Sequence, residues 1–239
     1  MPSNAILNFT RGDAIDLANI LATSASYSGG VLTLMNGSST VAQLNLAAPG
    51  SHPHFGLGAD GTGRTLIDLE PPPPADFNGD GKSDILWQYN NAANASDPFN
   101  GEAAIWLMDG MTPISQAIVG TPPPSWHAIG TGDFNGDGKA DILFQYNDAA
   151  NASDPSNGEA AIWLMNGLMP TSPAIIGAPP PSWHAIGTGD FNGDGKSDIL
   201  FQYNHAANAA DPSNGEAAIW LMNGTTPISQ AIVGAPPPS

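Results

Sequence analysis

The fold is decided by one stretch of nine residues, Asp76-Phe77-Asn78-Gly79-Asp80-Gly81-Lys82-Ser83-Asp84, which occurs three times in the chain. It returns at Asp133, with Ala140 in place of Ser83, and again at Asp190, so the period is 57 residues. A fixed period of this size is the sequence signature of a repeat architecture. We therefore expect three copies of one structural unit, at residues 76–132, 133–189 and 190–239.

Each copy alternates short apolar stretches with turn residues, which is the pattern of β-strands. In the first copy these stretches cover residues 84–89, 103–108, 114–119 and 126–131, and no segment has convincing helical periodicity. Four strands in a unit of this length favour a β-propeller blade, with an open sandwich as the alternative. We predict an all-β chain containing three propeller-type, four-stranded blades.

The predicted array is incomplete at both ends. The first copy lacks the Trp-His-Ala-Ile-Gly-Thr strand that precedes the acidic stretch in the other copies, and residues 65–69 stand in its place. The last copy stops where another such strand would begin. Because a propeller closes with roughly four to eight blades, we expect either self-association that completes the array or a chain that belongs to a longer one.

Residues 1–70 differ from the repeats and are predicted to form a small all-β module. Apolar stretches at 31–35 and 41–46 flank Asn36-Gly37, a pattern that predicts a hairpin. Residues 16–21 fit either one short helical turn or a strand. Residues 71–75 follow as a proline-rich spacer, which we expect to be semi-rigid.

Charge and composition exclude several classes of protein. The chain has 239 residues, of which 22 are Asp or Glu and 5 are Lys or Arg, giving a formal net charge of −17. This composition excludes a nucleic-acid-binding face, which needs clustered basic residues. No apolar run approaches the roughly 18 residues of a membrane helix, and no cysteine is present for disulfides or thiolate metal sites. Since most carboxylates have no basic partner in the chain, we expect another cation beside them.

The repeated stretch has the composition of a calcium-binding loop. Counted from its first Asp, side-chain oxygens fall at positions 1, 3, 5 and 9, and glycine occupies position 6. Calcium takes six to eight oxygen ligands, and a loop of alternating oxygen donors with glycine at position 6 wraps it. The alternative is a polar turn without an ion, since Asn, Asp and Gly are common in turns. The expected ligands, with the lysine at position 7 using its carbonyl, bind about three calcium ions: Asp76, Asn78, Asp80, Lys82 and Asp84; Asp133, Asn135, Asp137, Lys139 and Asp141; Asp190, Asn192, Asp194, Lys196 and Asp198.

These loops and their flanking strands, such as residues 129–143, resemble the FG-GAP/VCBS repeat family. Calcium loops of this family occur in the propeller of integrin α-subunits, in bacterial secreted proteins and in propeller lectins. The resemblance covers about residues 76–239, and it implies Asp at positions 1, 5 and 9 and Asn at position 3 as calcium ligands. Residues 1–70 look like a module found in large secreted proteins of soil bacteria. The resemblance therefore implies an extracellular or cell-surface location.

Two further groups are candidates for ligand binding. The loop 90–102, repeated at 147–159 and 204–216, offers polar groups to a glycan or ion, although its composition also fits turn chemistry that tightens the insertion. The Trp-His pairs begin a strand after a proline run, which favours partial exposure and stacking on a ligand. Trp106, Trp163 and Trp220 are expected in the core instead. The ligand-binding candidates are Trp126, His127, Trp183, His184, Asp97, Asn100 and Glu102.

No catalytic constellation is present, so we do not expect an enzyme. The sequence predicts a secreted calcium-binding β-repeat protein that acts as an adhesive or carbohydrate-binding module on a glycan or cell-surface component. The alternative is a structural subunit of an extracellular filament or surface assembly, formed when strands of different chains pair. Residues 1–4 lack the pattern of a secretory signal, so we expect export without a cleaved leader or a longer parent protein.

Overall fold

The computed structural model describes residues 5–7, 9, 13–47, 54–59, 64–70, 73–91, 93–94 and 96–235. Its contacts divide the chain into two compact units, Met1–Pro72 and Pro73–Ser239. Within the described residues every regular element is a strand, which confirms the all-β prediction. No helix in this described part is long and apolar enough to cross a membrane.

The strands of the N-terminal unit are β1 (Ile6–Leu7), β2 (Ala14–Leu17), β3 (Ser24–Ser28), β4 (Val31–Asn36), β5 (Ser39–Ala47), β6 (His54–Ala59) and β7 (Thr65–Glu70). They form one sheet of order β1-β5-β4-β3 and one of order β2-β7-β6. The predicted hairpin at Asn36-Gly37 is confirmed, because β4 and β5 pair antiparallel across it. Of the two alternatives for residues 16–21, the strand is present at residues 14–17.

The expectation that residues 65–69 replace a strand of the repeats is wrong. β7 pairs with β2 and β6 of the N-terminal unit. Ile67, at its centre, is fully buried in a core that also contains Leu32, Leu34 and Leu46. Burial of these apolar side chains holds β7 in this unit. Residues 71 and 72 of the predicted spacer lie outside the described residues.

Three further sheets follow, and we call them the first, second and third repeat sheets. Each is an antiparallel meander in which neighbours along the chain are neighbours in the sheet. The first contains β8 (Ile85–Gln88), β9 (Ala103–Asp109) and β10 (Thr112–Gly120). The second contains β11 (Trp126–Gly132), β12 (Asp141–Tyr146), β13 (Ala160–Asn166) and β14 (Met169–Gly177). The third contains β15 (Trp183–Gly189), β16 (Asp198–Tyr203), β17 (Ala217–Asn223) and β18 (Thr226–Gly234).

The sheets are offset by one strand from the repeat as counted in the sequence. The Trp-His strand pairs with the strand that follows the acidic loop, so β11 pairs with β12 and β15 with β16. The first repeat sheet has three strands because no Trp-His strand precedes its loop. Each acidic loop of the later copies therefore joins the first two strands of its own sheet.

Successive repeat sheets pack against each other through apolar side chains. Phe77 and Ile105 of the first sheet share a buried cluster with Ile142 and Phe144 of the second. The same arrangement recurs between the second and third sheets. Burial of this kind stabilises by about 25 cal/mol per Å² of apolar surface, so each sheet depends on its neighbour.

A glutamine adds a polar clamp to each of these junctions. Gln88 Nε2 donates to the carbonyl of Trp126 (2.7 Å), and Gln88 Oε1 accepts from the amide of Ala128 (2.8 Å). Gln145 makes the same two bonds to Trp183 and Ala185 one period later (both 2.9 Å). The side-chain amide thus takes the place of a backbone partner for the first strand of the following sheet. These bonds fix the position of one sheet relative to the next.

Candidate metal centre

The first aspartate of each acidic loop organises the loop backbone around its carboxylate. Asp76 Oδ1 accepts from the amides of Gly79 (2.7 Å) and Asp80 (3.2 Å), and its Oδ2 accepts from the amide of Gly81 (2.8 Å). Gly79 and Gly81 have φ of 76° and 84°, values that glycine adopts without steric cost. Asp133 and Asp190 repeat all three bonds.

The aspartate at position 9 links the loop to the next strand of the sheet. Asp84 Oδ2 accepts from the amide of Phe77 and its Oδ1 from the amide of Met108, both at 2.8 Å. Asp141 and Asp198 make the same bonds in the later copies. Asp141 and Asp198 have no exposed surface, and Asp84 is 6% exposed. These carboxylates therefore have a structural role in the fold, in addition to any role in binding an ion.

The side chains at positions 3 and 5 stabilise the turns between these two aspartates. Asn78 Oδ1 accepts from the amide of Asp80 (3.0 Å), and Asp80 Oδ1 accepts from the amide of Lys82 (3.0 Å). The Lys82 ammonium forms an ion pair with Asp109, the last residue of β9 (3.2 Å). Asp109 raises the pKa of Lys82 most, and the charges of Asp80 and Asp76 in the loop add to this. Lys139 and Lys196 contact Asn166 and Asn223 at the equivalent positions. Each lysine therefore has its hydrogen-bond partner outside its own loop.

Burial makes the charged form unfavourable for three of these carboxylates, Asp84, Asp133 and Asp141. Desolvation raises the pKa of Asp141 to about 7, against an ordinary value of 3.8, and the nearby Asp133 and Asp137 charges add to the effect. Desolvation also raises the pKa of Asp84 and of Asp133. The amides that donate to these groups oppose the shift but do not cancel it. A cation at this position would offset the cost of the charge.

The donor set of the loop fits calcium. All side-chain donors are oxygens, which hard cations prefer. Each carboxylate has about four lone-pair positions, of which Asp76 uses three and Asp84 two for the hydrogen bonds above. Among the described residues, however, no three carboxylate or imidazole side chains are clustered in a metal-binding arrangement. The fit therefore depends on donor chemistry and charge.

Without calcium, stability is expected to fall as pH rises through the range from about 4 to 7. The pKa of Asp141 is raised to about 7 in the folded protein. The folded state therefore binds more protons than the unfolded state in this range, and the free energy of unfolding decreases by about 4 kcal/mol across it. Urea unfolding in EDTA at several pH values measures this slope.

The Asp141→Asn variant is the control for the pH series. It cannot titrate at this site, so its slope should be flatter than that of the wild type. Asp97 contributes in the opposite direction, because hydrogen bonds from Asn91 and Phe99 lower its pKa, but it lies near the surface and the variant retains it. Identical slopes for the two proteins would contradict the assignment.

The predicted ligand-binding groups of loop 90–102 have partners inside the loop. Asp97 Oδ2 accepts from Tyr89 Oη (3.2 Å) and Asn91 Nδ2 (2.9 Å), and its Oδ1 accepts from the amide of Phe99 (3.1 Å). Asn100 Oδ1 accepts from the amide of Asn91 (2.6 Å). Both later copies repeat the tyrosine and asparagine bonds. This geometry favours turn chemistry for Asp97 and Asn100; the Glu102 side chain is partly buried beside them.

The Trp-His strands place their aromatic rings at the junctions between sheets. Trp126 and Trp183 are partly buried and each meets a tyrosine edge-on, Tyr146 or Tyr203, with centroids 5.4 Å apart. His127 Nε2 lies 3.3 Å from the carbonyl of Asn147. His184 is partly buried.

Each junction also contains an aromatic cavity. The larger one, about 460 Å³, is lined by Trp183, Phe201, Trp220 and Pro180 among others. Its counterpart one period earlier, about 210 Å³, is lined by the equivalent residues Trp126, Phe144, Trp163 and Pro123. The structure thus brings the predicted Trp residues, but not the histidines, into a recurrent cavity.

The three β-strand tryptophans are not equivalent, although all were expected in the core. Trp220 is 9% exposed and Trp163 is partly buried, whereas Trp106 is 36% exposed. The expectation is therefore wrong for Trp106, because no repeat sheet precedes the first one in the described chain. The Gln88 and Gln145 clamps were not predicted from the sequence. A Gln-Tyr pair recurs at the same position of each copy, and this recurrence could have indicated them.

The fold and its loops define an all-β repeat protein with one acidic loop in each repeat. Residues 75–144 match the family model of the FG-GAP-like repeat, which confirms the resemblance seen in the sequence. The matched segment contains the first repeat sheet and two acidic loops. No curated protein and no solved structure gave a match to the chain.

Proposed function

We propose that the chain is a secreted calcium-binding β-repeat protein that acts as an adhesive or carbohydrate-binding module. One observation carries the calcium part. In each of three loops, the aspartates at positions 1 and 9 accept the same set of backbone amides. The nearby lysine contacts a different turn. Each loop has three aspartates and one lysine, so a divalent cation would balance the negative charge that remains.

The proposed ligands are those expected from the sequence, at positions 1, 3, 5 and 9 with the position-7 carbonyl. Bound calcium would supply positive charge to the buried carboxylates and tie the loop to the following strand. We also propose that the three sheets are blades of propeller type. Their common meander order and their face-to-face packing support this arrangement.

The carbohydrate part of the proposal is supported by the aromatic cavities. Ligand sites are concave, mostly apolar and lined by aromatic side chains with a few polar groups. The cavity of about 460 Å³ has this character, with Trp183 and Trp220 as aromatic walls and Gln230 as a polar group. The C–H faces of a sugar ring can pack on such walls. The rigid sheets around the cavity support a surface site of this kind.

Glycan-array binding tests this function. In the presence of calcium, the protein is expected to bind a subset of the arrayed glycans. The Trp183→Ala variant should bind them at least ten-fold more weakly, a loss of roughly 1.4 kcal/mol in binding free energy. Trp106→Ala is the matched control, because Trp106 does not line either of the two cavities. EDTA should weaken binding by loosening the loops. Absence of glycan binding in calcium, or equal loss in both variants, would contradict the carbohydrate assignment.

A further inference from the structure

The third repeat sheet exposes apolar residues that the other two sheets bury. We call the side of each sheet that meets the following sheet its forward face. Phe77 and Phe134 on this face are fully buried, whereas the equivalent Phe191 is 47% exposed. Val119 and Ile176 are 7% and 8% exposed, whereas the equivalent Val233 is 58% exposed. The forward face of the third sheet therefore has residues equivalent to those on the forward faces of the first and second sheets, but here they are exposed.

Glycines on the forward face show what covers it. A Cβ on Gly120 would lie 2.5 Å from the Trp163 ring, and one on Gly177 would lie 2.9 Å from the Trp220 ring. Each glycine thus allows close approach of a tryptophan from the following sheet. Gly234, the third in this series, has no atom within 4 Å of such a Cβ. The position that a tryptophan fills at both internal junctions is open at the third sheet.

On the opposite side of the first repeat sheet, apolar residues are exposed whose equivalents in the other two sheets are buried. We call the side of each sheet that meets the preceding sheet its rear face. Phe144 and Phe201 on this face are each 1% exposed, whereas the equivalent Trp87 is 49% exposed. Trp106, the equivalent of Trp163 and Trp220, is 36% exposed. The two rings lie 5.5 Å apart, as the matching Phe–Trp pairs do at 5.0 and 4.9 Å.

This exposure is specific to the ends of the array. Ile118, Ile175 and Ile232, one residue before the buried series on β10, β14 and β18, are 61%, 62% and 62% exposed. They pair with Ala104, Ala161 and Ala218 at the rim of the rear face, and their exposure does not depend on position in the array. The exposed apolar residues of the two end faces therefore differ from ordinary surface residues, and apolar patches of this kind mark interaction sites.

We propose that copies of this chain associate head to tail, with the rear face of the first repeat sheet of one copy on the forward face of the third sheet of another. The same two faces, with the same glycine and tryptophan, already pack together at both junctions of the chain. Trp106 of one copy takes the place over Gly234 of the next. The contact is heterologous, so it extends into linear assemblies unless a ring closes. It does not require calcium.

Sedimentation velocity in buffer of about 0.15 M ionic strength, which screens repulsion between acidic copies, tests this contact. The wild type is expected to form oligomers whose size grows with concentration. Phe191→Glu removes the forward face and Trp87→Glu the rear face, so each variant alone should remain monomeric. Because each retains one intact face, an equimolar mixture should form dimers and nothing larger. Met169→Glu adds the same charge at a residue that is 70% exposed on the middle repeat sheet, away from both end faces, and should associate as the wild type does.

Circular dichroism and melting curves establish that the variants fold, and Val233→Glu replaces Phe191→Glu if that variant does not. A wild type that stays monomeric at every accessible concentration overturns the proposal. So does a mixture that fails to dimerise when the wild type associates. Self-association of either variant alone also overturns it, since that result indicates a symmetric contact between like faces. Equal loss of association in Met169→Glu would also overturn it.

Discussion

Removal of calcium is expected to lower the melting temperature of the repeat region by roughly 20 °C. At a calcium concentration about 100-fold above the dissociation constant, each site stabilises the folded state by about 2.7 kcal/mol. Three independent loops then contribute about 8 kcal/mol, and 1 kcal/mol shifts the melting temperature of a domain of this size by roughly 2–4 °C. Scanning calorimetry with calcium and with EDTA measures the shift.

Two controls separate site binding from general screening of the net charge of −17. Magnesium at the same concentration screens equally, but it demands stricter octahedral geometry and retains more water, so it should give a much smaller shift. Asp148→Asn removes one carboxylate outside the acidic loops, at a position that the third copy fills with His205, and should keep the full calcium effect. Identical melting in calcium and EDTA would refute the calcium sites.

Replacing Asp141 by alanine is expected to lower the free energy of unfolding by about 3 kcal/mol even in EDTA. The fully buried carboxylate accepts from the amides of Phe134 (3.0 Å) and Met165 (2.8 Å). Alanine leaves both amides without an acceptor, at a cost of about 1–3 kcal/mol each, and removal of a desolvated charge offsets part of it. Urea unfolding in EDTA measures the loss.

Asp137→Ala is the matched control for this variant. Asp137 is also a proposed calcium ligand, but it is only partly buried and accepts from Lys139 and Asn135 within the loop. This variant should lose stabilisation by calcium while changing the free energy of unfolding in EDTA by less than about 1 kcal/mol. Equal losses in EDTA for both variants would show that Asp141 has no special role in joining the loop to β13.

Local patterns in the sequence were sufficient for the strands and for the acidic loops. Strand alternation and the Asn36-Gly37 turn act over a few residues, so the β4–β5 hairpin could be predicted without knowledge of the rest. The repeated loop likewise predicted three equivalent turns, and Asp76, Asp133 and Asp190 make the same backbone hydrogen bonds. The other role of Asp84 could not be predicted, because its bond to Met108 joins residues 24 positions apart.

The assignment of strands to sheets was not determined by local patterns. Thr65–Glu70 has the length and composition of a strand. Its pairing with β2 and β6, however, depends on burial of Ile67 in a core whose other residues lie far from it in the sequence. The Trp-His strand could pair with the strand before it or after it, and the hydrogen bonds with β12 and β16 decide this. Both outcomes depend on contacts between residues far apart in the chain.

An all-β repeat protein with three equivalent acidic loops could be inferred without a structure, since a 57-residue period and alternating apolar residues are properties of the chain alone. The inequality of the three copies follows only from how the sheets pack. Phe77, Phe134 and Phe191 are the same residue at the same position, yet the third is exposed because no further sheet covers it. Burial depends on what packs against a residue, and that neighbour lies one whole repeat away.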